Sequence, residues 1–248
     1  MAADLLAVEP DADFWAFQNR AFVGRALRWA LDAGVRQVLD IGAGMPDTAG
    51  APHQVTARYE PGVRVVYVDV DPIAVASALF VANDRARVGI GDVAAFEGDL
   101  RRPAEIMSAP VVTGFLDLGR PVVVLLGAVL HFVSDADDPA GIIAVLRDSV
   151  ADGSVLVVSH ATAPEGMTGE QVRIAREYGE RTAPLTLRSR DQVAELLAGF
   201  GDVVEPGVCK VADWHPEPNE QDLTEAERAR RDRIPGWVGV AVKFGGSS

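Results

Sequence analysis

A glycine turn follows a buried-looking run in Val38-Leu39-Asp40-Ile41-Gly42-Ala43-Gly44, and a carboxylate, Asp69, closes the next such run, Val65-Val66-Tyr67-Val68. Glycines after one strand let the backbone pass close beneath a ligand, and an acid at the tip of the following strand accepts from a ribose diol. Together they point to a nucleoside-containing cofactor lying across strand ends. Gly98-Asp99-Leu100 follows a third apolar run. Asp99 could accept from the exocyclic amine of adenine, and Leu100 could cover the ring; an aspartate after glycine is also a common turn. His131, after Ala128-Val129-Leu130, and His160, after Ser159, fall just beyond two further apolar runs, where open α/β sheets bind ligands. Either imidazole could orient or deprotonate a nucleophile, or simply bond a loop backbone. Arg20, beside Asn19, could grip a carboxylate with its fork or lie on a solvated helix face.

The turn itself selects among cofactors. A dinucleotide fingerprint needs G-x-G-x-x-G, and the third glycine position holds Asp47. An acid there repels a diphosphate, and Pro46 delays the helix whose N-terminus would hold it. The turn therefore suits a cofactor without phosphate: S-adenosylmethionine, with its sulfonium, amino-acid end and adenosine. Asp71 precedes Pro72 and reads as a helix cap. Asp92 is an alternative acid to Asp99; the Arg-Pro helix opening after Asp99 favours the latter.

These residues require elements to position them. Apolar residues from Phe14 to Ala30 recur with helical period, so 10–33 is expected as a helix stopped by Gly34. Strands are expected over 36–41, 63–69, 93–97, 121–128 and 154–160, alternating with helices over 53–60, 72–83, 103–108 and 139–150. Asp135, Asp137 and Asp138 suit the positive end of that last helix. Helices follow over 168–181 and 189–199, the second with an N-cap signal in Ser189 and Asp191. Tyr178, Glu180 and Arg188 fall in the region expected to roof the pocket, with no role assigned to any of them. Strands at 201–211 and 237–244 finish the chain. The polar segment 213–235 between them is expected to be an exposed loop with a short helix at 224–233. Such alternation gives a Rossmann-like, doubly wound, mostly parallel sheet with helices on both faces. No repeat or composition shift divides 1–248, so a single domain is expected, with 1–34 as an N-terminal helical segment.

Composition removes other classes. A net charge of −13 argues against a nucleic-acid substrate, since a phosphate backbone needs a basic footprint. The longest apolar run, Val122 to Val129, suits a strand rather than a membrane span. Cys209 is the only cysteine, which excludes an intrachain disulfide and fits a cytoplasmic setting. Four scattered histidines give no metal-ligand spacing.

The order of Asp40-Ile-Gly-Ala-Gly, Val-Tyr-Val-Asp69-Val-Asp-Pro72, Gly-Asp99-Leu-Arg, Ala-Val-Leu-His131-Phe-Val and Leu-Val-Val-Ser-His160-Ala resembles the class I S-adenosylmethionine-dependent methyltransferases. More narrowly, Asn19-Arg20-Ala-Phe22, Arg36-Gln-Val-Leu-Asp40 and Ala183-Pro-Leu-Thr-Leu-Arg188-Ser-Arg are similar to the bacterial S-adenosyl methyltransferase family, first catalogued as a domain of unknown function. The likeness spans roughly 5–244. It implies a seven-stranded sheet whose last strand is antiparallel. It implies that Gly42 and Gly44 pass beneath the cofactor, that Asp69 holds the ribose, and that Asp99 and Leu100 frame the adenine. Asp40, Ala43, Val70 and Ala128, at the same strand tips, join the expected cofactor contacts, with Arg20 at the methionine end. Members usually carry a Tyr- and Gly-rich segment before the first helix, which this sequence starts too late to include.

The expectation is therefore methyl transfer from S-adenosylmethionine to a small-molecule acceptor, with His131 as first choice and His160 as second for base or orienting group. No nucleic acid, membrane or metal is expected. The oligomeric state is open, a homodimer included. A non-catalytic S-adenosylmethionine-binding protein and an NAD-dependent oxidoreductase are the alternatives.

Overall fold

The computed structural model describes residues 12–46, 50–87, 92–163, 185–217 and 224–245. In chain order the elements are α1 (Ala12–Asp32), β1 (Gln37–Ile41), α2 (Pro52–Tyr59), β2 (Arg64–Asp69), α3 (Pro72–Arg87), β3 (Val93–Glu97), α4 (Pro103–Ser108), α5 (Pro110–Phe115), β4 (Val123–Gly127), α6 (Pro139–Asp148), β5 (Val155–Ala161), α7 (Arg190–Ala198), β6 (Asp202–Val203), β7 (Cys209–Lys210), α8 (Glu225–Asp232) and β8 (Gly236–Val242). Two single 3-10 turns, Leu130–Phe132 and Asp135–Asp137, lie between β4 and α6. The expected helix over 168–181 lies outside the described residues.

Among the described residues one sheet carries all the strands, in the order β3-β2-β1-β4-β5-β8-β6, with β7 also paired to β8. The first five strands of the sequence are mutually parallel, and β8 runs antiparallel beside β5. The sheet has eight strands rather than the expected seven. The single strand expected over 201–211 is broken into β6 and β7, both antiparallel to β8 on the same edge. The break falls at Pro206, which has no N–H to give to a ladder, and Gly207, whose positive φ of 83° turns the chain and whose N–H returns to the Val204 carbonyl.

Strand side chains alternate between two faces. Val38, Val65, Val123 and Val155 stand in one row and face α1; Leu39, Val66, Val124 and Leu156 stand in the next and face α4, α5, α6 and α7. Both faces are covered, so the central strands are apolar throughout instead of alternating with polar residues. The helix ends follow local chemistry. Ser189 and Gln192 form a reciprocal capping box at α7, Asp138 accepts from the Gly141 amide at α6, and Asp71 accepts from the Ile73 amide at the start of α3.

The segment 213–235 departs from its expected exposure. Trp214 is fully buried, edge-on to Phe22 at 5.6 Å and to Trp29 at 6.4 Å, and Ile234 is buried as well. The buried Arg25 holds this stretch from α1, donating through Nε to the Trp214 carbonyl at 2.9 Å and through Nη2 to the Val211 carbonyl at 2.8 Å. Arg28 pairs with Glu217 beyond it. The average polarity of the segment hides one large aromatic that the α1 face needs. The short helix in its second half is present as α8.

Candidate active site

The C-terminal ends of the parallel strands are tied together one by one. The amides of Gly42 and Ala43 both donate to the Val68 carbonyl, at 2.8 and 3.2 Å, folding the β1 turn over the tip of β2. The Gly98 amide donates to the Asp69 carbonyl at 3.0 Å, joining the β3 turn to the same tip. Ala128, with a left-handed φ of 57°, has its amide bonded to Ser159 Oγ at 2.8 Å, which joins the tips of β4 and β5. Backbone held in that region by a residue other than glycine is costly and tends to cluster at functional sites.

Gly42 is fixed by geometry. Its φ is +77°, and a Cβ placed there would stand 2.2 Å from Val129 Cγ2. Val129 thus closes from the β4 tip onto the β1 turn, and only a missing side chain leaves room.

Asp69 completes the cradle. Its Oδ2 accepts from the Gly44 amide at 2.8 Å and its Oδ1 from the Asp71 amide at 2.9 Å. Each carboxylate oxygen has two acceptor positions, so each keeps one after these bonds. Two free acceptor positions on a fixed carboxylate match the two hydroxyls of a ribose.

Asp40 lies behind the turn and is 5 % exposed. Its side chain makes no hydrogen bond among the described residues, and burial, then the nearby Asp69 charge, push its pKa up to about 8. Its register partner on β2 is Tyr67, whose hydroxyl accepts from the His53 amide at 3.1 Å and pairs with His53 Nδ1 at 2.8 Å. Burial and the Arg85 charge hold that imidazole down at about 4, so Asp40 has an uncharged polar backing. A buried carboxyl with no partner is costly unless something cationic reaches it. Arg20, on α1, packs its Cβ against Gly50 at the far end of the turn, 3.8 Å from where a Cβ would stand there.

The β3 turn is arranged differently from the sequence expectation. Asp99 is held by the fork of Arg101, with Nε to Oδ1 at 2.9 Å and Nη2 to Oδ2 at 2.7 Å, and Arg101 lowers its pKa. An adenine amine would have to share that carboxylate with the arginine. Leu100 is 4 % exposed and sits in the core under the sheet, so its side chain has little surface left for a ring. Val70, just past Asp69, is 57 % exposed and leaves apolar surface open at the same strand end. Asp92 precedes β3, at the opposite end of the strand, and pairs with Arg85 at 2.5 Å.

His131 and His160 meet, with ring centroids 5.7 Å apart and planes at 78°. Both are buried, and both pKa values fall: His131 to about 3 through burial and then the His160 and Arg188 charges, His160 to about 4 mainly through burial. The Ala161 carbonyl sits 2.7 Å from His160 Nδ1, and Arg188 Nη1 lies 3.0 Å from its Nε2. Both ring nitrogens of His160 are therefore engaged. Phe132, tilted beside His131 with centroids 4.5 Å apart, is half exposed. Arg188, expected from the sequence only in the region of the pocket roof and with no role, is the buried centre of this corner, bonded also to Leu130, Val133 and Asp135. Tyr178 and Glu180, expected to roof the pocket, lie outside the described residues.

A cradle that a single Cβ would fill, a carboxylate with two spare acceptor positions, and a buried unpartnered acid fit the adenosine and the cationic end of S-adenosylmethionine. The sheet order and the antiparallel strand beside β5 define a class I S-adenosylmethionine-dependent methyltransferase fold. The sequence matches the S-adenosyl methyltransferase family over residues 1–244, and the chain belongs to that family of S-adenosylmethionine-dependent methyltransferases. It is similar to a DUF574 family protein of Streptomyces avermitilis, at 36 % identity and a TM-score of 0.83, over 97 % of this chain and 88 % of that one. A candidate methyltransferase of Thermobifida fusca shares 30 % identity at a TM-score of 0.77, over 95 % of this chain and 84 % of that one. At the level of fold alone, a phosphoethanolamine N-methyltransferase of Haemonchus contortus, solved with phosphomonomethylethanolamine and S-adenosylhomocysteine, aligns at a TM-score of 0.54 and 14 % identity, over 85 % of this chain and 49 % of that one. No curated protein matches the chain. The family assignment sets aside the NAD-dependent alternative. Among the described residues no helix is long and apolar enough to cross a membrane, and no cluster of His, Cys, Asp and Glu could hold a metal.

Proposed function

We propose that the protein methylates a small molecule seated against the tips of β4 and β5. One relationship carries this reading: Val129 closes onto Gly42, so the segment bearing His131 and Phe132 stands directly beside the cofactor cradle. When bound, the cofactor supplies a methyl group on a positively charged sulfur, which leaves as a neutral thioether as the acceptor's electron pair forms the new bond.

The chain's own residues do the positioning, which is the larger part of the catalysis for so good an electrophile. Asp69 accepts from both ribose hydroxyls. Gly42, Ala43 and Gly44 give the close backbone approach, with Ala128 facing them from β4. Asp40 receives the ammonium, which returns its pKa toward the usual range, and Arg20 takes the carboxylate. Val70 covers the adenine, and Asp99 shares its carboxylate between Arg101 and the adenine amine. His131 meets the acceptor, with His160 behind it. Phe132 adds apolar surface suited to a compact, partly aromatic acceptor. The net charge of −13 weighs against a polyanionic one. A lone cysteine, with its thiol pushed up to about 11 by burial, suits the cytoplasm.

Calorimetry with S-adenosylmethionine, S-adenosylhomocysteine and NAD tests the cradle, and isotope-labelled methyl transfer to small molecules, peptides and RNA tests the acceptor. Binding of the first two ligands with label in small molecules is expected. Label appearing only in protein or RNA would overturn the acceptor assignment.

A further inference from the structure

Resting on the methyl-transfer reading, we propose that His131 acts on the acceptor as a fixed hydrogen-bond donor through Nε2, and that Arg188 is the positioning residue that holds it so. The acceptors admitted are those whose nucleophilic atom attacks at neutral pH without a protein base, as phenolate, thiolate, neutral amine or electron-rich carbon, beside an oxygen or nitrogen that accepts from Nε2; any proton left on the methylated atom is lost to solvent. Acidic phenols, thiols, amines and electron-rich carbon next to a carbonyl or phenolate belong to this class. Aliphatic alcohols, which need a base, do not.

The argument is one of donors and acceptors. The Ala161 amide lies 3.3 Å from His131 Nδ1 and can only donate. In a neutral imidazole one nitrogen accepts and the other carries the proton, so the proton of His131 is on Nε2. A general base needs a lone pair aimed at the substrate, and the lone pair of His131 is occupied by a peptide N–H. Burial and the neighbouring positive charge keep the ring neutral, so it is not an imidazolium either. The fully buried side-chain nitrogens and oxygens without a partner among the described residues belong to Trp15, Trp214, Arg231 and Trp237. Nε2 of His131 has no hydrogen bond among the described residues and is not one of them, so it keeps an accessible edge.

His160 is set by the same logic with the opposite result. The Ala161 carbonyl can only accept, so Nδ1 of His160 carries the proton; the Arg188 guanidinium can only donate, so Nε2 accepts. The backbone of Ala161 thus links the rings: its carbonyl accepts the proton of His160, and its amide occupies the lone pair of His131. Arg188 starts the chain. Its Nη1 also donates to the Leu130 carbonyl at 3.1 Å, and Nη2 donates to the Val133 carbonyl at 2.9 Å and to Asp135 Oδ1 at 2.7 Å. It grips the loop on both sides of His131, while the Thr186 amide holds the His131 carbonyl at 2.8 Å. The charged or titratable groups that act on these rings are His160 and Arg188 for His131, and Arg188 and Asp135 for His160. A planar fork can serve these diverging acceptors, whereas a lysine ammonium serves fewer of them.

Side-chain nitrogen–proton correlation spectra of the four histidines test the assignment, with His131→Gln and His160→Gln identifying the signals. The expected result is His131 with its proton on Nε2 and His160 with its proton on Nδ1, both unchanged from about pH 5.5 to 8.5. Arg188→Met should mix the tautomers of both rings while leaving the dissociation constant of S-adenosylhomocysteine within about threefold; Arg188→Lys, which can still donate to His160 Nε2, should restore the His160 tautomer and His131 only in part. A His131 signal with its proton on Nδ1, or one that titrates near pH 6.5, overturns the proposal. So do tautomers that Arg188→Met leaves untouched. If that variant does not fold, the wild-type spectrum and Arg188→Lys still decide. Failure of the wild type to bind S-adenosylhomocysteine would instead sink the methyl-transfer reading, whatever the tautomers.

Discussion

The Gly44 amide donates to Asp69 Oδ2 at 2.8 Å, so the turn after β1 is held by the same carboxylate that we propose binds the ribose. The Asp71 amide takes the other oxygen. Asp69→Asn puts an NH2 group against one of these two donors and removes an acceptor. A loss of about 100-fold in affinity for S-adenosylhomocysteine is expected, about 2.8 kcal/mol at 1.4 kcal/mol per tenfold. Calorimetry checks this, and an unchanged affinity would remove Asp69 from the cofactor site.

Gly42→Ala should be worse than a typical glycine substitution. The new Cβ meets Val129 Cγ2 at 2.2 Å and Val129 Cβ at 2.5 Å, at a φ of +77°. About 2–4 kcal/mol of stability should be lost, from overpacking and backbone strain together. Val129→Ala in the same chain removes the γ-carbon clash but not the Cβ one, so rescue should be partial. Denaturant melts of the three variants measure it; an additive double variant would show that the two residues do not meet.

Asp40 makes stability fall as pH rises. Its carboxyl ionises near 3.8 when unfolded and near 8 when folded, so between these values the folded chain holds one more proton. The contribution is complete below the lower value and is lost as pH climbs through the upper, at up to about 1.4 kcal/mol per pH unit. Asp40→Asn should therefore gain on the wild type from pH 5 to pH 8 in the absence of cofactor. Equal pH slopes would mean that Asp40 is solvated.

The buried histidines act in the other direction. His131, His160 and His53 have pKa values near 3, 4 and 4 when folded against 6.5 unfolded, so the unfolded chain binds more protons in that window. Their contribution is present above 6.5 and is lost as pH falls through it. Three such groups outweigh the single opposing carboxyl, so the melting temperature should drop below about pH 6 and peak between about pH 6 and 7. His160→Gln should flatten the acid limb, and a wild-type curve with no acid limb would contradict the burial of these rings.

Trp214→Ala should cost about 3–5 kcal/mol, the range for truncating a buried large aromatic. It also removes the edge contacts to Phe22 and Trp29. A change below about 1 kcal/mol would show that the 211–214 stretch is not part of the core.

Much of the fold could be read along the chain because strands and helices are local patterns. The glycines at 42 and 44, the proline at 72 and the serine at 189 mark turns and caps through the conformations they alone favour or the bonds they alone make. The broken last edge was less legible, since Pro206 demotes a strand without saying where it resumes. Trp214 was misplaced because segment polarity averages over one residue whose partners are on α1, far away in sequence.

At the candidate site, the sequence by itself determined which residues stand at strand tips, because strand length and turn chemistry fix that. Asp40, Gly42, Asp69, Ala128, His131 and His160 therefore gather at one edge. Only the tertiary structure decided how each is engaged: Arg101 on Asp99, Leu100 turned into the core, Arg188 behind both histidines. A hydrogen bond depends on direction and partner across separate strands, and spacing along one chain carries neither.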